Sequence, residues 1–294
     1  MSNFGMGWRN HVFTTPSATL ETFGPGTVTA GALTALQDMR LSKRVTLTDT
    51  TAGEGAATVG LHWFVDSGSA VAIRLIGLLN YTVSAPGATA INWSITIAKA
   101  SGGALSDEPL TVYERPSDDF PSHLWKLLDT EIDDAYDVIL TVSASFGSGG
   151  GTLSFTPGAL WLSPWWTLPR GLEASWWQKQ NDLGRMGLSE GNQGYPRRRK
   201  RRRVFGGRAV HIPFEYAYGD ETDPTVLDVQ QLLYRVGTTE PIALFPRTLN
   251  RAGALSAHVM HRLGVYGHFS DTGRIEEMGG DEYQWTGVEL AELM

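Results

Sequence analysis

The sequence predicts a mainly β protein: an N-terminal jelly-roll-like β-sandwich, then a smaller C-terminal β-barrel or sheet domain carrying one α-helix. Three observations predict it. Short β-branched or alternating runs closed by turn residues recur from Val45 to Ser163. The composition sets 34 glycines against 19% charged residues, which favours strands and turns over long helices. One later stretch alone carries a capped helical period.

In the first domain, residues 1–165, the runs are VTLTD (45–49), ATVGLHWFV (57–65), AVAIRLIGLL (70–79), AINWSITIA (90–98), YDVILTVSA (136–144), TLSFT (152–156) and ALWLS (159–163). Seven such runs suit a sandwich. DSGSA, APGAT, ASGGALS and FGSGGG supply turn chemistry between them. FPSHLWKLLDTEID (120–133) is the helix-like stretch of this half, and reads equally as a short turn of helix in the long crossover before the next strand.

Residues 166–207 read as a Trp-containing connector ending in a basic loop. The second domain, 208–294, opens on the strand RAVHIPFEYAYG (208–219) and continues into a helix over 224–236. In that helix Asp223 is the cap, Pro224 the first residue, and Val226, Val229, Leu233 and Val236 one face ending at Gly237. PIALFPR (241–247), HVMHRLGVYGHFS (258–270) and YQWTGVELAEL (283–293) read as further strands.

The absence of cysteine excludes disulfides, thiolate metal sites and thiol catalysis. MSNFGMGWRNHVF shows no export or organelle signal. AVAIRLIGLL is about half a membrane span and is interrupted by Arg74, so no membrane insertion is expected. There is no GxxxxGK[ST], no GxGxxG after a strand and no HExxH. Adjacent carboxylates (Asp118 with Asp119, Asp133 with Asp134, Glu276 with Glu277) do not face each other on an extended chain and read as solvated surface. His258 and His261, three apart on the strand expected there, point to opposite faces, which argues against a metal site. No catalytic, cofactor-binding or metal-ligating residue is therefore expected, and the protein reads as non-enzymatic.

Two features remain. Trp165 with Trp166 and Trp176 with Trp177 suit domain-junction packing first, then an inter-subunit contact, then a sugar platform. Arg197, Arg198, Arg199, Lys200, Arg201, Arg202 and Arg203 form a cationic island in a chain of net charge -7. Residues 1–165 carry 8 basic against 15 acidic residues, and without the run the remainder carries 9 against 16. The run therefore suits an acidic face of a neighbouring subunit first and DNA phosphates second; a localisation signal or a solvated loop are the other readings.

The segment GLLNYTVSAPGATAINWSITIA (77–98), with Asn80 closing a strand and Ala88-Thr89 opening the next, resembles the galactose-binding-like sandwich of a group of tailed-bacteriophage virion proteins. The strand Gly158 to Trp161, the Gly206-Gly207 turn and VLDVQQLLYRVGTTEPIALFPR (226–247) extend the likeness to the barrel-with-helix unit of distal tail proteins. The resemblance implies a structural tail-tip component in the virion, assembled in the host cytoplasm. It implies a homohexameric ring that joins tail tube, hub or fibres, with carbohydrate attachment to a host glycan as the alternative. The basic run before Gly206 departs from that pattern.

Overall fold

The computed structural model describes residues 4–38, 40–109, 123–168, 176–181, 185–188, 194–197, 202–219 and 227–293. The chain is mainly β, as expected, and divides into two units. One lies within Arg9–Trp165; the other combines Met1–Trp8 with Trp166–Met294. The chain's first strand, β1 (Gly5–Gly7), is thus part of the unit that the sequence placed after residue 165, where it pairs with residues Ala243–Phe245.

The first unit contains β2 (Thr19–Phe23), β3 (Thr27–Ala30), β4 (Thr46–Thr51), β5 (Gly55–Phe64), β6 (Val71–Leu79) and β7 (Thr82–Ser84). It continues with β8 (Ala88–Lys99), β9 (Ala104–Pro109), β10 (Leu124–Phe146), β11 (Gly151–Thr156) and β12 (Ala159–Ser163). The larger sheet runs β12-β6-β10-β5-β2, with β8 on β10 and β9 on β8; the smaller runs β3-β4-β11-β7. Period-2 alternation explains how they form a sandwich. Val138, Leu140 and Val142 are buried, while Thr141 and Ser143 bond Ser94 and Thr58 on the other face of the sheet. Leu47, Leu153 and Phe155 of the smaller sheet share one apolar cluster with Val59, Leu61 and Ile95 of the larger, and Trp93 meets Phe155 edge-on at 5.7 Å.

The helix expected within 120–133 is strand instead. Residues 124–135 pair with β6, and 135–146 pair with β8 and β5, so β10 spans 23 residues. Leu124, Trp125, Leu127 and Leu128 are buried on both faces of the strand, and a strand buried on both faces has the apolar density of a buried helix. Gly77 is required opposite: a Cβ there would lie 2.3 Å from the Trp125 ring. Asn80, which closes β6, takes φ 49°, a left-handed conformation that Asn tolerates, and its amide donates to Leu41 O at 2.7 Å.

A short helix, α1 (His11–Thr14), is fastened to this unit by Asn10. The Asn10 amide donates to Leu160 O and its oxygen accepts from Leu162 N and Val12 N. His11 next to it is buried, with Nε2 3.1 Å from Ala72 O. Burial, reinforced by the Arg9 charge, pushes its pKa down from 6.5 to about 4.

The second unit is a six-stranded sheet ordered β1-β17-β18-β19-β16-β13, where β13 is Trp177–Asn181, β16 Arg202–Pro213, β17 Ile242–Phe245, β18 Val265–Gly279 and β19 Glu282–Glu292. A separate hairpin, β14 (Arg185–Leu188) with β15 (Gly194–Arg197), precedes β16. Among the described residues three helices accompany the sheet where one was expected: α2 (Phe214–Tyr218), α3 (Val229–Val236) and α4 (Ala257–Leu263). The expected helix is α3, but its cap is Asp228, which accepts from Gln231 N at 2.7 Å; Asp223 and Pro224 lie outside the described residues. Val229, Leu232 and Val236 face a core of Phe4, Met6, Trp166, Phe205, Trp285 and Leu290.

The strand expected over 258–270 is helix through Leu263 and strand from Val265. Ser256 caps α4, and Gly264 ends it where a Cβ would meet Phe245 at 2.6 Å. On the helix, His258 and His261 are one turn apart, so strand alternation does not separate them. His261 is buried, and no group of three or more metal-ligating side chains occurs among the described residues.

Candidate functional site

Trp176 and Trp177 are neighbours in an extended segment and so point to opposite faces of the sheet. Trp176 stacks on Phe205 with centroids 6.0 Å apart, on the core side. Trp177 lies on the outer face, 42% exposed, over Gly206, where a Cβ would come within 2.3 Å of the indole. Glycine at 206 thus lets the ring lie flat on β16, and Lys179, two residues along β13, places its Nζ 4.9 Å from the ring centroid.

Beside this indole is a groove of about 540 Å³ on the same sheet. Arg208 of β16, Asp271 and Glu276 of β18, and Gln284 and Glu289 of β19 supply its polar groups. Glu276 accepts from Gln284 Nε2 at 2.8 Å and from Arg274 Nε at 2.6 Å. Asp271 accepts from Gly273 N at 2.8 Å, and Glu289 from Ser270 Oγ at 3.2 Å. All three carboxylates are oriented; both oxygens of Glu276 are engaged, while Asp271 and Glu289 each use one oxygen in these bonds. Arg274 is paired with Glu276 and Lys179 lies over the indole, so Asp271 and Glu289 are the lining carboxylates left to meet a cation, with Arg208 beside them. Sequence reasoning missed this groove because its residues span 177 to 289 and meet only through strand register.

The seven-residue basic run does not act as one surface. Arg197 ends β15, residues 198–201 lie outside the described residues, Arg202 is half-buried, and Arg203 is 3% exposed. Arg203 forms a buried ion pair with Glu292: Nε donates to Oε1 at 2.8 Å, Nη2 also donates to Oε1, and the Arg203 backbone N–H donates to Oε2 at 3.1 Å. Its remaining donors reach Arg262 O at 3.1 Å and Gly264 O at 2.8 Å, at the end of α4. Arg203 is therefore a structural residue joining β16, β19 and α4, which removes it from any partner-binding set.

Trp166 is buried in the second unit, donating from Nε1 to Leu227 O at 2.6 Å and exchanging backbone bonds with Met6. Trp165 is half-buried in the first unit, its N–H bonded to Glu131. Of the four tryptophans, Trp177 has its indole on the outer face. Asp118 and Asp119 lie outside the described residues. Asp134 is held below the usual carboxylate range by hydrogen bonds from Ser101, and Glu276 is committed to Gln284 and Arg274 as above.

A Gly-x-Ser-x-Gly match, Gly187 to Gly191, is present in the sequence. It connects the antiparallel strands β14 and β15, not a strand to a helix, and so lacks the context of a nucleophile elbow; Ser189 lies outside the described residues. His211, with φ 53° and Nδ1 2.5 Å from Glu282 Oε2, lies on the bulged part of β16. Near it in sequence and pairing, Phe214, Tyr218 and Tyr283 form an aromatic cluster with centroids 5.2 to 6.0 Å apart.

No family model and no curated protein matches the chain. Among solved structures it is similar to the crystal structure of bacteriophage CBA120 tailspike protein 4 enzymatically active domain. The identity is 17% with a TM-score of 0.30, over 53% of this chain and 21% of that one. The matched structure is an enzymatically active domain, so the expectation of a non-enzymatic protein is withdrawn, and at that score the likeness assigns no activity to this chain.

Proposed function

We propose that the chain is a tailed-phage virion protein of the tail tip, assembling through its second unit into a homohexameric ring that joins the tail tube to hub proteins or fibres. The observation that carries this reading is a charge arrangement in one unit. An acidic groove with an exposed indole lies on the outer face of the sheet, and an arginine-rich segment enters the same sheet through β16. The segment order set out from Asn80 to the Gly206-Gly207 turn supports the family, and the sandwich unit is left to contact neighbouring tip proteins.

Size-exclusion chromatography with light scattering at micromolar concentration tests the reading. A fixed oligomer is expected; a strict monomer that does not enter tails would overturn it. Carbohydrate attachment is the second reading, favoured by Trp177 beside polar groups. It is weakened by Lys179, which covers part of the indole on which a sugar ring would stack. A glycan array separates the two, since a saturable ligand whose binding is lost in Trp177→Ala supports attachment.

A further inference from the structure

We propose that the groove beside Trp177 receives the cationic segment Arg198, Arg199, Lys200 and Arg201 of a second copy of this chain. The inference rests on the ring reading above and names its contact.

Charge complementarity is the first support. The groove offers Asp271 and Glu289, with Glu276 already paired to Arg274 and Arg208 beside them, and the segment brings four cations and no anion. Arginine forks bind carboxylates in bidentate geometry, and an indole face attracts guanidinium or ammonium groups. Lys179 covers part of the Trp177 ring at 4.9 Å, so an incoming cation meets the part of the indole it leaves open. Oδ2 of Asp271 and Oε2 of Glu289 carry no hydrogen bond among the described residues, so an incoming cation displaces nothing there.

Register supplies the second support. Trp177 pairs with Gly206 and Asn181 with Arg202, so the segment joins β16 four residues before the groove. At the rise of a β-strand, Arg202 lies about 13 Å along β16 from Gly206. The groove and the sequence preceding Arg202 are thus unlike stretches of one chain. A contact between unlike patches on identical chains is heterologous, the type that closes into rings, whereas a two-fold dimer uses one patch twice.

The test uses the full-length protein, prepared as an equal mixture of 14N- and 15N-labelled copies and treated with a carbodiimide, which joins an amine to a carboxylate without a spacer. The expected product links Lys200 to Asp271, Glu276 or Glu289 in peptides of mixed isotope. Oligomers that form without this link, or with the link only between peptides of one isotope, overturn the inference and leave the ring reading standing. A monomer at every concentration overturns both.

Charge reversal adds a second readout. Replacing the four cations by Glu is expected to weaken self-association at least about ten-fold. Adding Asp271→Lys and Glu289→Lys to that variant restores it to within about three-fold of the parent. Unchanged association in the first variant, including the case in which only DNA binding is lost, overturns the contact. So does association that is lost and not restored in the combined variant when its circular dichroism matches the parent.

Discussion

Replacing Glu292 with Gln tests how the second unit is held together. Arg203 is 3% exposed and gives Glu292 two guanidinium bonds and a backbone bond, leaving only the carbonyls of Arg262 and Gly264 to satisfy the rest of its charge. With the carboxylate neutralised, a guanidinium remains buried without a counter-ion, at a cost of about 3–5 kcal/mol. Replacing both partners, as in Arg203→Met with Glu292→Leu, removes the charge with its partner. That variant is expected to recover most of the loss, offset by the two carbonyls that lose donors. Hydrogen exchange read by mass spectrometry resolves the effect by segment. At about 1.4 kcal/mol per ten-fold, amides of β16 and β19 in Glu292→Gln should lose roughly two to three and a half orders of magnitude of protection. Peptides of β5 and β10 should keep theirs. Unchanged protection in β16 and β19, or a double variant as unstable as the single, would refute the assignment of Arg203 as a buried structural residue.

Acid should weaken the first unit through His11. Its folded pKa of about 4 lies below the unfolded 6.5, so its contribution is complete above pH 6.5 and is lost as pH falls toward 4. The loss approaches about 3 kcal/mol, and His11→Gln should flatten this part of a stability profile measured by urea titration. Asp228→Ala removes the cap of α3 and should cost about 1 kcal/mol, read as a lower urea midpoint of the second unit. Gly206→Ala places a methyl where the Trp177 indole lies and should displace β13. A loss of about 1–3 kcal/mol, with faster exchange in residues 177–181, is the expected result.

Much of the sandwich is legible in the sequence because period-2 alternation survives there. The runs at 57–65, 70–79, 90–98 and 152–156 correspond to β5, β6, β8 and β11 within a few residues. Legibility fails where both faces of an element are buried, as at Leu124 to Leu128, since a continuous apolar run carries no period. It fails again at Ser256 to Leu263, where a serine cap and a glycine packed on Phe245 end a helix only seven residues long. The strands β1, β7 and β13 are too short to show alternation, and their pairing depends on partners far away in sequence. For the site, the basic run announces itself, but its division does not. Arg203 is withdrawn from solvent by a carboxylate 89 residues away, and the acidic groove exists only once β13, β16, β18 and β19 are in register.

Negative-stain electron microscopy of the purified full-length protein tests assembly most directly. Class averages are expected to show closed rings of six subunits, dispersed by the charge-reversed segment and restored by the compensating groove substitutions. Uniform single particles of one-chain size, unchanged at rising concentration, would contradict the account.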